Sequence, residues 1–224
     1  MKTFAIIPAG GKGFRSGFSA PKQYLKFNGK EMIAYTLSIF QKNKNVDEIV
    51  VAADPKYFPL LIKIKKKYRL SKITGVIEGG KERQGSVYNA LKSIKAAKRD
   101  LVIVHDAARP LLSQHVLNSA LKTARSRGNA LVCLKAKDTL VKGDETVTEY
   151  IDRNEVFCVQ TPQIFRYADL MNAMILAEKR NFYGTDESML VKKLGRMINI
   201  TEGSVFNIKV TTKSDIELVK KLLK

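Results

Sequence analysis

The chain has 224 residues, 45% of them hydrophobic, which fits one large α/β domain or at most two small ones with a sizeable buried core. Its 40 lysine and arginine residues against 21 acidic ones give a formal net charge of +19, which predicts an anionic partner. No apolar run approaches the roughly 18 residues that cross a membrane, and the apolar stretch before Pro8 is too short for a signal peptide, so we expect a soluble cytoplasmic protein without a membrane partner.

Strand-like and helix-like segments alternate along the first half of the chain. The predicted strands are 3–7, 48–53, 73–78 and 101–105. Apolar residues at helical spacing predict helices over 32–40, 57–68 and 86–94. The apolar strand 101–105 is predicted to be central and covered on both faces. This alternation is typical of an α/β fold with a mostly parallel central sheet and helices on both faces.

The second half begins with a predicted helix over 113–127 and a strand over 130–134, after which the alternation breaks. Two β-prone pieces flank Gly143-Asp144 within 139–151, which predicts a protruding β-hairpin that covers a surface or reaches a partner chain. The remaining predicted elements are strand 156–160, helices 168–179 and 187–194, strands 197–201 and 206–210, and a last helix with a capping box at Ser214. With no linker or repeat, residues 1–224 are predicted to form one domain with a hairpin arm over about 136–154.

The two cysteines, Cys133 and Cys158, lack the CxxC spacing of a metal or redox site. Both lie in predicted strands. We therefore expect two buried free thiols in a reducing cytosol.

The stretch PAGGKGFRSGFSAPKQYL, residues 8–25, follows the first predicted strand directly. Gly10, Gly11 and Gly13 allow backbone N–H groups to approach an anion closely. Arg15 and Lys22 add full charges, and a charge-assisted contact to phosphate is roughly twice as strong as a neutral hydrogen bond. The loop is long enough to wrap a phosphate chain, and we interpret it as a triphosphate-binding loop.

Two familiar phosphate-binding loops do not fit this stretch. A P-loop requires a glycine five residues before its Gly-Lys pair and Ser or Thr after it, and neither Gly11-Lys12 nor Gly29-Lys30 has them. A dinucleotide fingerprint requires a third glycine where Ser16 stands. An ordinary glycine-rich turn is the structural alternative, which Arg15 and Lys22 disfavour.

The stretch VHDAARP, residues 104–110, places Asp106 at the C-terminal end of the most apolar predicted strand. Ligands of open α/β sheets bind beyond these strand ends. Magnesium typically takes one or two protein carboxylates together with phosphate oxygens. Asp106 is therefore a candidate ligand of Mg²⁺, or of another divalent cation, on a bound triphosphate. A turn cap is the alternative role, which Arg109 and the glycine loop disfavour.

Four further stretches extend the pattern along nearly the whole chain: GGKERQGSVYNAL (79–91), IDRNEVFCVQTPQIF (151–165), GTDES (184–188) and FNIKVTTKSD (206–215). Together with residues 8–25 and 104–110, they resemble the 2-C-methyl-D-erythritol 4-phosphate cytidylyltransferases of the non-mevalonate isoprenoid pathway. The resemblance implies a Rossmann-like nucleotidyltransferase fold. It also implies a reaction, with a divalent metal, in which CTP and 2-C-methyl-D-erythritol 4-phosphate give 4-diphosphocytidyl-2-C-methyl-D-erythritol and diphosphate.

The resemblance also implies roles for individual residues. Arg15 and Lys22 match the pair that steadies the triphosphate in the transition state, and Asp106 matches the magnesium ligand. The residues implied to bind the nucleotide are Pro8, Ala9, Gly10, Gly11, Gly13, Gly80, Arg83 and Ser86. The residues implied around the polyol phosphate are Asp106, Arg109, Thr139, Arg153 and Lys209, of which Arg153 and Lys209 position it for attack. In the implied homodimer, the hairpin arm carries Arg153 to the partner's site.

The implied nucleophile is a substrate phosphate oxygen that is already ionised at neutral pH. The reaction therefore needs charge neutralisation and in-line positioning of two repelling phosphates rather than a general base. We accordingly interpret His105, beside Asp106, as a structural residue.

Two alternative functions remain open. A ribitol 5-phosphate cytidylyltransferase would share the fold, but Ala107-Ala108 and Asp152 favour the methylerythritol substrate. A basic nucleic-acid-binding protein would explain the charge, yet 22 basic residues lie in 1–112 and 18 in 113–224, so there is no basic arm. No RNP, KH or helix-turn-helix pattern accompanies the charge, and we expect no nucleic-acid partner.

Overall fold

The computed structural model describes residues 1–11 and 21–223. Its strands are β1 (Thr3–Pro8), β2 (Lys26–Phe27), β3 (Lys30–Glu31), β4 (Glu48–Ala53), β5 (Ile73–Glu78), β6 (Leu101–Val104), β7 (Asn129–Lys135), β8 (Leu140–Gly143), β9 (Val147–Ile151), β10 (Phe157–Arg166) and β11 (Ile200–Glu202). Its helices are α1 (Met32–Lys42), α2 (Phe58–Lys67), α3 (Arg83–Ser93), α4 (Gln114–Arg127), α5 (Tyr167–Lys179), α6 (Glu187–Lys193) and α7 (Lys213–Leu222). No helix among these has the length and apolar character needed to cross a bilayer.

Seven of the described strands form one sheet, in the order β11–β7–β10–β6–β1–β4–β5. The first strand, β1, lies parallel to both of its neighbours, with Ile6 opposite Val50 on one side and Val104 on the other. The strand β10 is antiparallel to β6 and β7, and the other pairs are parallel. The predicted mostly parallel sheet is confirmed, and the apolar strand β6 lies at its centre.

The sheet carries a hydrophobic core on each face, because successive side chains of a strand point to opposite sides. From β1, Ala5 and Ile7 pack with residues of α1, α2 and α4. Phe4 and Ile6 face the other way and pack with residues of α3, α5 and α6. This two-sided cover confirms the predicted helices on both faces, and it leaves the ends of the strands as the place for polar groups.

The predicted hairpin is present as β8 and β9, which pair antiparallel with Leu140 opposite Ile151. Every residue from 141 to 155 is exposed, including the large apolar side chains of Val141, Val147 and Tyr150. Exposed apolar residues on a two-stranded ribbon are unfavourable unless another surface covers them.

The segment after β11 differs from the prediction, because 206–210 is not a strand. Its backbone groups close local turns instead: the Asn207 N–H donates to the Ser204 carbonyl at 3.0 Å, and the Ile208 N–H donates to the Phe206 carbonyl at 2.8 Å. The last helix begins earlier than predicted, since Thr212 rather than Ser214 forms the capping box, with Asp215.

The prediction of two buried thiols is wrong for one of them. Cys133 is buried in β7, and burial raises the pKa of its thiol to about 11. Cys158 is exposed. The reason lies in the register, since β6 covers β10 only from Gln163 onward and leaves the stretch around Cys158 paired with β7 alone.

The connection from β5 to α3 brings two backbone segments into direct contact. The Ser86 hydroxyl accepts a hydrogen bond from the Gly80 N–H at 3.1 Å and donates to the Glu82 carbonyl at 3.1 Å. A Cβ atom on Gly80 would lie 2.6 Å from the carbonyl carbon of Gly85. Only glycine fits at position 80 without moving the first turn of α3.

We predict that Gly80→Ala lowers the free energy of unfolding by about 1–3 kcal/mol, the usual cost of overpacking. Urea unfolding of the variant and the wild type measures this loss. Gly75→Ala in β5 is the matched control, because its Cβ atom would meet Val50 at an ordinary 3.6 Å. Equal stability of the two variants would contradict the packing described for Gly80.

Candidate active site

The candidate site lies beyond the carboxyl ends of β1 and β6, which are neighbours in the sheet. Residues 9–11 follow β1, and Asp106 follows β6 after His105. The His105 N–H donates to the Ile6 carbonyl at 3.1 Å, and the Asp106 N–H donates to the Thr161 hydroxyl at 3.1 Å. The parallel pairing thus brings residues 9–11, the start of the glycine-rich stretch, and Asp106 to one edge of the sheet, where open α/β sheets bind ligands.

Three cations converge on the Asp106 carboxylate, which is 8% exposed. Arg83 Nε donates to Oδ1 at 2.9 Å, Lys209 Nζ lies 2.9 Å from Oδ2, and Arg109 Nε lies 3.7 Å from Oδ2. Burial alone would raise the pKa of Asp106, but the charges of Arg83, Lys209 and Arg109 outweigh burial and hold it well below its usual range. The carboxylate is therefore ionised throughout the physiological range.

A second carboxylate, Glu187, holds the other side of the Arg83 guanidinium. Arg83 Nη1 donates to Oε1 and Oε2 of Glu187 at 2.7 and 2.8 Å. Glu187 opens α6 directly after the N-cap Asp186, whose side chain accepts the Met189 N–H at 3.0 Å. Burial opposes the Arg83 charge, yet the two carboxylates together raise the pKa of Arg83 above its ordinary value. Glu187 lies within the motif GTDES but is not among the predicted site residues.

His105 is completely buried and holds the turn that presents Asp106. Its Nε2 lies 3.2 Å from the Arg109 carbonyl, and its Nδ1 lies 3.1 Å from the Thr161 hydroxyl. A carbonyl can only accept, so Nε2 carries the proton and Nδ1 accepts from Thr161. Burial lowers the pKa of His105 to about 4. These contacts agree with a structural, neutral histidine.

The segment that carries Lys209 is tied to the same turn through Asn207, which is fully buried. Arg109 Nη1 donates to the Asn207 carbonyl at 2.7 Å, and Asn207 Nδ2 donates to the Thr161 carbonyl at 2.7 Å. The Val210 N–H donates to the Ala108 carbonyl at 2.9 Å. Sequence analysis did not identify Asn207 or Thr161, because only the tertiary fold brings them together.

The start of the glycine-rich stretch is fixed by Gln23, another residue that sequence analysis missed. Gln23 Nε2 donates to the carbonyl groups of Ala9 and Gly11 at 2.7 and 3.0 Å. Gln23 belongs to a short 3₁₀ turn that begins at Lys22. Lys22 therefore lies next to the residue that holds the stretch in place.

The remaining predicted site residues are not part of this cluster. Gly13 and Arg15 lie outside the described residues. Thr139 and Arg153 are exposed at the base of the hairpin arm, where Arg153 Nη1 donates to the Lys137 carbonyl at 2.8 Å. Ser86 is buried and its hydroxyl supports the Gly80 backbone. The cluster around Asp106 thus contains Arg83, Arg109 and Lys209, while Arg153 belongs to the arm.

Comparison with known proteins assigns nearly the whole chain to one family. Residues 3–224 match the family model for 2-C-methyl-D-erythritol 4-phosphate cytidylyltransferase. The protein of that name from Clostridium acetobutylicum is 38% identical over 223 residues, which cover 98% of this chain and 96% of that protein. The chain belongs to the 2-C-methyl-D-erythritol 4-phosphate cytidylyltransferase family.

Other cytidylyltransferases of this family agree with the assignment. The protein from Geobacter metallireducens is 38% identical over 228 residues, covering 100% of this chain and 98% of its own length. The crystal structure of the Francisella tularensis 2-C-methyl-D-erythritol 4-phosphate cytidylyltransferase matches with a TM-score of 0.84 and 31% identity over 99% of both chains. The predicted family and nucleotidyltransferase fold are confirmed, and the chain is a CTP-dependent nucleotidyltransferase.

In this cytidylyltransferase, Asp106 could bind a divalent cation only if the substrate phosphates and water supply the other ligands. Among the described residues, no group of three or more His, Cys, Asp or Glu side chains is placed to hold a metal. Asp106 is an ionised single carboxylate, and both of its oxygens already face cations. Magnesium that keeps phosphate oxygens and waters as its other ligands suits such a site.

The buried histidine of this cytidylyltransferase predicts a pH-dependent stability. Above about pH 6.5, His105 is neutral in both the folded and the unfolded chain. Below that value, His105 becomes protonated in the unfolded chain, whereas in the folded chain its pKa is about 4. The free energy of unfolding therefore decreases as the pH is lowered. Between pH 6.5 and pH 5, this loss amounts to about 2 kcal/mol of unfolding free energy.

Urea unfolding at these two pH values tests the prediction. His105→Asn should be less stable at both values but should lose about 2 kcal/mol less than the wild type on acidification. His115→Asn, at an exposed position, is the matched control and should keep the wild-type pH dependence. An unchanged pH dependence in His105→Asn would contradict a neutral, buried His105.

Proposed function

We propose that this chain transfers the cytidylyl group of CTP to 2-C-methyl-D-erythritol 4-phosphate, giving 4-diphosphocytidyl-2-C-methyl-D-erythritol and diphosphate in isoprenoid precursor biosynthesis. The family match over residues 3–224 carries this assignment. The names of the similar proteins do not favour the ribitol 5-phosphate or nucleic-acid alternatives. We further propose a cytoplasmic enzyme of one domain over 1–224, without a nucleic-acid partner.

The triphosphate of CTP is proposed to lie against the glycine-rich stretch, with Arg15 and Lys22 as its cations. The N–H groups of Gly10, Gly11 and Gly13 would donate to phosphate oxygens. The hydrogen bonds from Gln23 to the Ala9 and Gly11 carbonyls support this role, because they hold the start of the stretch in place beside the 3₁₀ turn that carries Lys22. Pro8 and Ala9 would place the nucleotide at the end of β1.

Cytosine and ribose are proposed to bind at the start of α3, where Gly80, Arg83 and Ser86 lie. The tight contact of Gly80 with the helix fixes this segment, and Ser86 ties its two ends together. Arg83 connects the segment to Asp106. The base-binding segment and the carboxylate are therefore held at a constant separation.

The polyol phosphate is proposed to bind on the other side of Asp106. Lys209 is 44% exposed while it contacts Asp106, so a phosphate group can reach its ammonium. Arg109 contacts the same carboxylate, and Thr139 and Arg153 would contribute from the arm. Arg153 and Lys209 would orient one oxygen of the polyol phosphate for in-line attack.

Asp106 is proposed to be the protein ligand of Mg²⁺, or of another divalent cation, which arrives with CTP. When bound, the metal supplies positive charge to the phosphate oxygens of the nucleotide. The net positive charge of the Asp106 cluster favours two anionic substrates in the same way.

The bond changes require no protein base. The ionised oxygen of the polyol phosphate forms a bond to the α-phosphorus of CTP, and the bond from that phosphorus to the β-phosphate oxygen breaks, releasing diphosphate. Lys22 and Arg15 would stabilise the negative charge that develops on the leaving diphosphate. His105 stays neutral and buried, which suits a mechanism without proton abstraction.

A homodimer through the hairpin arm is proposed to complete the site. The arm exposes apolar side chains, and Arg153 bonds to the arm's own backbone rather than to the Asp106 cluster. A second copy of the chain would cover the apolar residues and receive Arg153.

The substrate assignment predicts diphosphate release only when CTP, Mg²⁺ and 2-C-methyl-D-erythritol 4-phosphate are all present. A coupled diphosphate assay with this substrate and, separately, with ribitol 5-phosphate measures the preference. Lys22→Ala should lower kcat by about 10²-fold with a smaller change in the KM for CTP, because its contact strengthens as charge reaches the diphosphate. Turnover with ribitol 5-phosphate alone would contradict the assignment.

The shared site predicts that two impaired variants restore activity to each other. If Arg153 acts across the dimer, mixing Arg153→Ala with Lys22→Ala under subunit exchange forms hybrids with one intact site. Equal mixing should then give about a quarter of the wild-type activity. Each variant mixed with itself is the control. No recovery in an exchanged dimer would show that Arg153 acts within its own chain.

A further inference from the structure

Glu187 is a buried carboxylate to which the proposed mechanism gives no role. It is 1% exposed, and both of its oxygens accept hydrogen bonds from Arg83 Nη1. The same guanidinium donates through Nε to Asp106. Arg83, the first residue of α3, therefore bridges the first residue of α6 and Asp106 in the turn after β6.

The position of Glu187 is fixed more firmly than that of Arg83. The Asp186 side chain caps α6 by accepting the Met189 N–H, and the Ser188 N–H donates to Gln163 Oε1 at 3.0 Å, which ties the helix to β10. Arg83 has a long, flexible side chain that is 29% exposed. Glu187 thus acts as the fixed point and Arg83 as the group that is held.

A stabilising role alone does not explain this arrangement. Removing an arginine and a carboxylate from water costs desolvation energy that their attraction only about offsets, so apolar packing would stabilise the fold equally well. The negative charge of Glu187 does affect the surroundings of Asp106, because it offsets part of the positive charge of Arg83. Without Glu187, three cations would face a single carboxylate, and Arg83 would be free to turn toward solvent or to occupy Asp106 more fully.

We propose that Glu187 is a positioning residue for the nucleotide: it holds the Arg83 guanidinium so that the start of α3 and the Asp106 carboxylate keep one fixed geometry. The inference rests on the proposed binding of CTP at this segment. Lys209 and Arg109 form their ion pairs with Asp106 and not with Glu187, so loss of Glu187 should affect the polyol-phosphate side less than the nucleotide side.

Steady-state kinetics of Glu187→Gln test this role. The substitution keeps the shape and removes the charge, so the KM for CTP should rise by about tenfold, as is typical when an outer partner of a binding residue is lost. The KM for 2-C-methyl-D-erythritol 4-phosphate should stay within about twofold of the wild type. Glu187→Asp, which keeps the charge, should recover part of the CTP affinity. The matched control is Glu178→Gln on the neighbouring α5, where the side chain is exposed.

A double-mutant cycle separates positioning from structural damage. If Glu187 acts through Arg83, adding Glu187→Gln to Arg83→Gln should change kcat/KM for CTP by less than about twofold. Full additivity, or an equal rise in the KM of both substrates, would overturn the proposal. So would a wild-type KM for CTP in Glu187→Gln. Absence of diphosphate release by the wild-type enzyme would instead overturn the proposed function.

Discussion

The carboxylate of Asp106 attracts three cations that come from separate parts of the chain: the start of α3, the turn after β6 and the segment before α7. Cations packed this closely repel one another by several kcal/mol at the effective dielectric of a protein surface. The shared carboxylate reverses that repulsion and allows Arg83, Arg109 and Lys209 to face one place. The arrangement of these three side chains depends on this one charge, together with the Glu187 carboxylate that contacts Arg83.

The fold explains why the carboxylate can hold that position. Strand β6 is central and fully buried, so the residue after it has little freedom, and the His105 and Thr161 contacts fix the turn that carries Asp106. The neighbouring strand β1 delivers the glycine-rich stretch to the same edge. In the proposed reaction, two anionic substrates would meet beside a cluster whose cations outnumber its carboxylates. Charge neutralisation and alignment, rather than proton transfer, are what such a cluster can supply.

Local sequence patterns predicted the parts of the molecule that local physics determines. The apolar run of β6, the hairpin around Gly143-Asp144 and the helices on both faces were all predictable from periodicity and turn chemistry. Asp106 could be singled out because it follows the most apolar predicted strand, where open α/β sheets bind ligands, and because Arg109 and the glycine-rich stretch accompany it. The roles given to Arg15 and Gly13 stay predictions, because these residues lie outside the described ranges.

The features that could not be predicted from the sequence depend on tertiary contacts. Residues 206–210 have the composition of a strand, but local turns take up their backbone groups and point Lys209 at Asp106. Glu187 and Thr161 are distant from Asp106 in sequence and gain their roles only through α6 and β10. The exposure of Cys158 depends on where β6 stops covering β10.

The ionisation of Asp106 tests the three-cation arrangement most directly. In a protein with ¹³C-labelled aspartate carboxyl groups, NMR titration should show no protonation of Asp106 from about pH 7 down to about pH 4, where ordinary exposed aspartates with a pKa of about 3.9 already begin to titrate. Lys209→Met should raise the pKa of Asp106. A carboxyl group that titrates like an ordinary exposed aspartate, and that does not respond to Lys209→Met, would contradict the three-cation arrangement.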